Sequence, residues 1–334
     1  MHSGKRFSAR EFITWTRRSI YALIVLAAIP TILYFLGFKF LSVPWQPIAI
    51  MGTAVAFIVG FKNNASYSRL WEARQIYGAI INDSRSFGYI LRDSLNAKDP
   101  GKVKEMFLRH YAWLTALRFQ LRESRVWENM GTAEFDEYAK KYDIPERLSK
   151  LDDELKKYLS EAELQYILGK KNRATQLMAS QSKELSEAYE KGEINDFQWT
   201  QINQQLVKFT DSQGKAERIK NFPYPRNFSS ITTYLLLLFI VFVPFGMLKE
   251  FDKLGEDSML EGWTIWFNIP FSLLVTWCFH TLDSVGESSV NPFEGSANDV
   301  PITQISRTIE IDMRDMLDET DLPPAITPKN NIVL

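Results

Sequence analysis

Four stretches of the chain carry no charged side chain: Ile20 to Phe38, Phe40 to Phe61, Asn227 to Leu248 and Gly262 to Leu282. Each runs for about 20 residues, the length a helix needs to cross the hydrocarbon core of a bilayer. Helices buried in a large soluble core are also apolar all round, but they seldom run this far without a charge. The flanks are those of membrane spans. Arg17 and Arg18 precede the first, Lys39 separates the first two, Lys62 follows the second, and Arg226 and Lys249 bracket the third. Tyr34, Trp45, Tyr234, Trp263 and Trp266 lie near the ends, where amphipathic rings favour the headgroup zone. The pattern predicts four transmembrane helices in two pairs.

Between the pairs lies a polar insert, which lacks strand alternation and instead repeats apolar residues at helical spacing, as in Met106, Phe107, His110, Tyr111, Trp113, Leu114, Leu117 and Leu121. Breaks at Asp99-Pro100-Gly101, Asn129-Met130-Gly131, Ile144-Pro145 and Lys191-Gly192 divide it into about four helices. Asn195 or Asp196 is placed to cap the last of these. The charged stretch Leu151 to Glu190 reads as a solvent-facing helix. Ahead of the first span, Ser8 and Glu11 stand at capping-box spacing, which predicts a short amphipathic surface helix over 8–19. After the fourth span come a turn at Asn291-Pro292-Phe293-Glu294, a short amphipathic helix near 303–318, and a Pro-rich end that cannot continue as helix.

The expected organisation is therefore all-α: an N-terminal arm at 1–19, spans one and two at 20–61, a helical insert at 62–226, spans three and four at 227–282, and a tail at 283–334. Lys and Arg decide its orientation. The arm carries Lys5, Arg6, Arg10, Arg17 and Arg18, and the insert ends are rich in Lys62, Arg69, Arg74, Lys215, Arg218, Lys220 and Arg226. The hairpins between paired spans hold only Lys39, and then Lys249 with Lys253. Arm, insert and tail are expected on the cytoplasmic side of the plasma (inner) membrane, with both termini inside. The first span is too long for a cleaved signal peptide, has no small-residue cleavage pattern after it, and is expected to remain in place.

Composition removes several chemistries. The formal net charge is −1 and basic residues are interspersed with acids, so nucleic acid is not an expected partner. One cysteine, Cys278, allows no intrachain disulfide and no cysteine zinc site from a single chain. His2, His110 and His280 are scattered, with no metal-ligand spacing, and neither a phosphate-binding glycine loop nor a nucleophile elbow is present. His280, close to Asp283, reads either as a pH-sensitive group or as a packed histidine. No catalytic residue, enzyme activity or cofactor is expected.

The second span has organised faces. Thr53, Phe57 and Phe61 recur every four residues and form one stripe, while Gly52, Ala56 and Gly60 form another beside it. Small residues let helices approach closely in a membrane. If several copies surround an axis, the small stripe can pack against neighbours while the phenylalanines face the centre and make a dewetting constriction. The same stripe also suits a helix that turns its rings to lipid or to another span. After Phe61 the helix turns polar with Lys62, Asn63, Asn64, Ala65, Ser66, Tyr67 and Ser68, as a wet vestibule or an ordinary exit from the bilayer would.

Gly60-Phe61-Lys62-Asn63-Asn64-Ala65, followed by Tyr67, Arg69 and Leu70-Trp71-Glu72-Ala73-Arg74, resembles the bestrophin family, particularly its bacterial members. Phe222-Pro223-Tyr224-Pro225 before the third span, and Asn291-Pro292-Phe293 with Asn298-Asp299-Val300-Pro301 after the fourth, resemble it too. The resemblance covers nearly the whole chain. It implies a homopentameric channel in membrane lipid, passing small monovalent ions along the five-fold axis through a hydrophobic neck at Thr53, Phe57 and Phe61. Thr53 departs from the family, which usually has an apolar residue there. The resemblance further implies an inner vestibule near Asn63 and Asn64, and a cytoplasmic aperture at Phe197 beside Asp196. Permeant ions at family level are anions such as chloride, with cations such as sodium among bacterial relatives. Animal members bind calcium after the Asn-Pro-Phe turn. Here Asn291, Glu294 and Asp299 supply few carboxylates for an ion that favours six to eight oxygens, so they are expected to cap turns and join subunits, with activity independent of calcium.

Two other readings stand beside the channel. One is a membrane-anchored signalling or scaffold protein acting through its insert. The other is a secondary transporter, which the spans disfavour because they lack buried carboxylates and broken helices. The charge count yields a direct test: a reporter inserted in the 151–190 stretch should read out on the cytoplasmic side, and a periplasmic readout would reverse the topology.

Overall fold

The computed structural model describes the chain except residues 5–6, 96–98, 130–134, 136–138 and 257–258. Lys5 and Arg6 of the arm, and Met130 and Gly131 of the second expected break, lie outside the described residues. The regular structure described is helical apart from isolated bridges near the two termini. Four helical segments are long and apolar enough to cross a membrane: Ala9–Phe35, Lys39–Leu95, Arg226–Leu254 and Thr264–Glu287. The chain divides into two compact units, one of residues 4–68 and 223–290, the other of 1–3, 69–222 and 291–334.

In the span-bearing unit, helix α1 (Ala9–Phe35) opens with the Ser8–Glu11 capping box, each side chain serving the other's backbone. The expected surface helix and first span are thus one helix, because nothing between Thr14 and Ile20 interrupts the backbone ladder. Helix α2 (Trp45–Leu95) contributes its first half to this unit. After residue 222 the chain continues into α9 (Arg226–Leu254), a 3-10 turn at Thr264–Phe267, and α10 (Asn268–Glu287). The helices between α2 and α9 belong to the other unit. Leu23, Ile48, Val55, Val59, Leu236, Phe239, Ile240 and Val243 form the shared apolar centre.

A polar knot ties the unit together. Asn268, fully buried, donates through Nδ2 to the Thr31 hydroxyl at 2.8 Å and to the Pro244 carbonyl at 3.0 Å, while its Oδ1 accepts from Ser272 at 2.8 Å. One amide therefore serves α1, α9 and α10 where lipid offers no alternative partner.

The insert-bearing unit is built on α3 (Pro100–Arg122), which Asp99 caps by accepting from the Lys102 amide at 3.0 Å. Trp113, Phe107, Met106 and Leu117 of α3 are buried with Phe87 and Leu91 of α2. His110 belongs to this core, stacked among Phe87, Trp113 and Phe209 and hydrogen-bonded to Ser84 at 2.9 Å. Burial pushes its imidazole down to about 3, so the ring is neutral at physiological pH.

The stretch 145–190 differs from expectation. It forms four helices, α4 (Pro145–Leu148), α5 (Leu151–Leu155), α6 (Glu161–Leu168) and α7 (Arg173–Glu190), and it is not simply solvated. Leu155, Leu164, Ile167, Leu177 and Leu185 are fully buried in the core. Their helical spacing was hidden among charges, which occupy only the outward faces. Helix α8 (Asp196–Asn221) begins with Asn195 as its cap, accepting from the Gln198 amide at 2.9 Å.

Residues 291–334 belong to this unit as well, where the sequence reading set the tail apart. Ile302, Ile309 and Met313 of α11 (Ile302–Asp315) enter the same core, and Arg85 donates twice to Asp312, at 2.8 and 2.7 Å.

The knot generates a test. Asn268→Leu removes the bonds to Thr31, Pro244 and Ser272 together, and should lower thermal stability in detergent by about 1–2 kcal/mol, the size of a hydrogen bond between membrane helices. Thr31→Val should cost less, because the Thr31 hydroxyl already donates to the Ala27 carbonyl within its own helix.

Candidate functional site

Helix α2 has two opposite faces in the span-bearing unit. Ile48, Val55, Val59, Lys62 and Ser66 are buried. At 100° per residue this stripe lies about 170° from the stripe of Thr53, Phe57 and Phe61. Packing one face therefore leaves the other uncovered within the chain. Phe57 is 66% and Phe61 58% exposed, and their rings meet edge to face with centroids 4.4 Å apart. Thr53 is also exposed, with its hydroxyl donating to the Ala49 carbonyl at 3.1 Å, so the stripe presents a locally satisfied polar group.

The small stripe beside it is split. Gly52 is buried against Phe239 of α9, where an added Cβ would come within 2.7 Å of the ring. Its smallness serves packing inside the chain, which corrects the reading of Gly52 as a contact between copies. Ala56 and Gly60 are exposed, and a Cβ on Gly60 would meet nothing within 4 Å.

Below Phe61 the helix is fastened to α10. Lys62 is buried, and its ammonium stands 2.9 Å from Asp283 and 2.8 Å from Glu287, carboxylates one helical turn apart. Asn63 donates through Nδ2 to the Leu282 carbonyl at 2.9 Å, whereas Asn64 is exposed on the ring side. Sequence reasoning missed the Lys62 clamp. Its available signal was Asp283 and Glu287 at i and i+4, at the end of one span, matching a lysine at the end of another. His280 pairs with the Ser19 hydroxyl at 2.8 Å.

In the insert-bearing unit, Phe197 lies in the first turn of α8 and is 85% exposed. Asp196, also exposed, accepts from the Tyr189 hydroxyl at 2.8 Å.

Asn291, Glu294 and Asp299 are all buried in the loop before α11. Asp299 accepts from the amides of Gly295 and Ser296 at 2.7 and 3.1 Å and from the Ser296 hydroxyl at 2.6 Å. Arg122 stands 3.4 Å from the same carboxylate and donates to the Phe293 carbonyl at 2.9 Å. Burial raises Asp299 above its ordinary range even so, with Arg122 opposing. Burial, and then the neighbouring Asp299, push Glu294 up to about 8. Glu294 accepts from the Asn129 amide at 2.9 Å. These carboxylates are occupied by backbone and arginine donors. Among the described residues, no group of three or more His, Cys, Asp or Glu side chains is placed to hold a metal ion.

Four apolar helices, a helical insert and an uncovered aromatic stripe define an all-helical, multi-span membrane protein. The chain belongs to the bacterial and fungal bestrophin family, whose profile, "Bacterial/Fungal Bestrophin protein", it matches over residues 13–315. It is similar to the voltage-dependent anion channel-forming protein YneE of Escherichia coli K12, 26% identical over 300 residues, covering 90% of this chain and 84% of the relative. The protein of that name from Salmonella typhi is 27% identical over 295 residues, covering 88% and 82%. In fold it resembles the crystal structure of a bacterial bestrophin homologue from Klebsiella pneumoniae, with a TM-score of 0.75 at 22% identity, covering 90% of this chain and 98% of that one.

Proposed function

We propose that this protein is a passive ion channel in the inner membrane, formed by five copies around an axis lined by the Thr53, Phe57 and Phe61 stripe. The insert and both termini lie in the cytoplasm, and small monovalent ions pass without a catalytic step or cofactor. The observation that carries this reading is the uncovered aromatic stripe directly opposite the packed face of α2. A ring of such faces makes a narrow apolar neck, which resists ions by excluding their water until it widens. Phe197, with Asp196 beside it, is the proposed residue of a second, cytoplasmic aperture. Asn64 lines the vestibule below the neck, and Asn63 stands at its edge.

Anions are the permeant ions suggested by the relatives' names. A second reading, cation selectivity, is favoured by the side chains themselves. The only lysine next to the neck on α2 is matched by two carboxylates, and exposed Asp196 would repeat five times around the aperture. Carboxylate rings favour cations. Asn291, Glu294 and Asp299 fix the turn within one chain and are too deeply buried to reach a neighbouring copy, which corrects their expected role in joining subunits. The carboxylates are taken up by internal donors, so conduction needs no calcium.

Protein-only liposomes separate the channel from a scaffold, which would carry no flux. Replacing both rings, Phe57→Ala with Phe61→Ala, should raise ion flux about tenfold if they form the narrowest collar. Unchanged flux would remove them from the neck. The reversal potential across a planar bilayer under a salt gradient assigns the sign of the permeant ion. Chelating calcium should leave the current within about twofold, since the loop's few carboxylates make no tight site.

A further inference from the structure

Immediately below the aromatic pair, α2 touches α10 with almost no slack. A Cβ on Gly286 of α10 would overlap Oδ1 of Asn63. The Asn63 side chain is not free to swing away cheaply, because its amide nitrogen is bonded to the Leu282 carbonyl. Its Oδ1 is buried and has no hydrogen-bond partner, so it is held there by the contact rather than by a bond of its own. Beside this contact, Lys62 draws α2 toward α10 through Asp283 and Glu287, its side chain 2% exposed. Attraction and steric stop thus act at adjacent residues, one and two positions after Phe61. Lys62 acts from behind, since it belongs to the buried stripe opposite the rings. Asn63 lies about 120° round from the ring stripe, so that a push at this contact still has a component toward the rings.

We propose that Asn63 and Gly286 form a spacer that sets how far the Phe57 and Phe61 rings stand from the pore axis, with Lys62 pulling the two helices onto it. The inference rests on the proposal that those rings line a pore. Asn63 and Gly286 are positioning residues in this scheme: they act through the rings, and need not touch the ion. Added bulk at Gly286 presses α2 away from α10 and narrows the collar. Removing the Asn63 amide lets α2 settle back and widens it.

The test uses the full-length protein in liposomes, with flux under a potassium chloride gradient and assembly followed by size exclusion. Gly286→Ala should lower flux about three- to tenfold, and Asn63→Ala should raise it by a similar factor. The double variant should return to within about twofold of the native protein, because the two changes act on one gap. In a background carrying Phe57→Ala and Phe61→Ala, none of the three should change flux by more than about twofold, since no rings remain to be moved. Effects of equal size with and without the rings, or no effect of either single change, would overturn the proposal. Should Gly286→Ala fail to assemble, Asn63→Ala, which only removes atoms, decides alone by the same comparison. A native protein that carries no flux overturns the pore reading and this inference together. A native flux that rises on ring removal but ignores Asn63→Ala and Gly286→Ala overturns this inference only.

Discussion

One face of α2 is fully used in packing, and the exposure of its opposite face follows from that. Ile48, Val55 and Val59 pack with Phe239 and Val243, Gly52 admits a phenylalanine ring, and Lys62 reaches α10. A helix has only one circumference. Once these residues face inward, Thr53, Phe57 and Phe61 must face outward. In lipid this exposure costs little, because hydrocarbon chains solvate phenylalanine as well as another helix does. Exposure alone therefore does not define a pore. The pore reading comes from the combination of the stripe with membership of the bestrophin family.

The buried polar groups have different tasks in the two units. In the span-bearing unit, Asn268 and Lys62 each join separate helices, and each is satisfied by more than one partner. Breaking such a site leaves an unpaired group where water is scarce, which costs more than the bond itself contributes. In the insert-bearing unit, Arg122 and Asp299 hold the Asn-Pro-Phe loop, and His110 sits neutral in an aromatic core. The loop carboxylates are drawn inward to backbone amides and arginine. That arrangement builds the segment as a turn closed by its own side chains.

Local signals were legible in the chain. Uncharged runs located the spans, and Ser8 with Glu11 located one helix start. Another start was narrowed to Asn195 or Asp196, of which the structure uses Asn195, and the spacing of Thr53, Phe57 and Phe61 placed them on one face. The stretch from 151 to 190 was harder, because dense charge concealed Leu155, Leu164, Ile167, Leu177 and Leu185 at core spacing. A charge count averages over all faces of a helix, whereas burial selects one.

What the sequence alone determined is what a few neighbouring residues can dictate: apolar length, helix caps and the angular order of side chains around α2. Tertiary structure decided which side of α2 was packed, and whether Gly52 served this chain or another copy. It also decided that residues 291–334 join the insert, and that Lys62 meets two carboxylates more than 200 positions away. Helical periodicity is a local property fixed by backbone geometry. The choice of partner across such a separation depends on how whole surfaces fit, and no short window of residues contains that information.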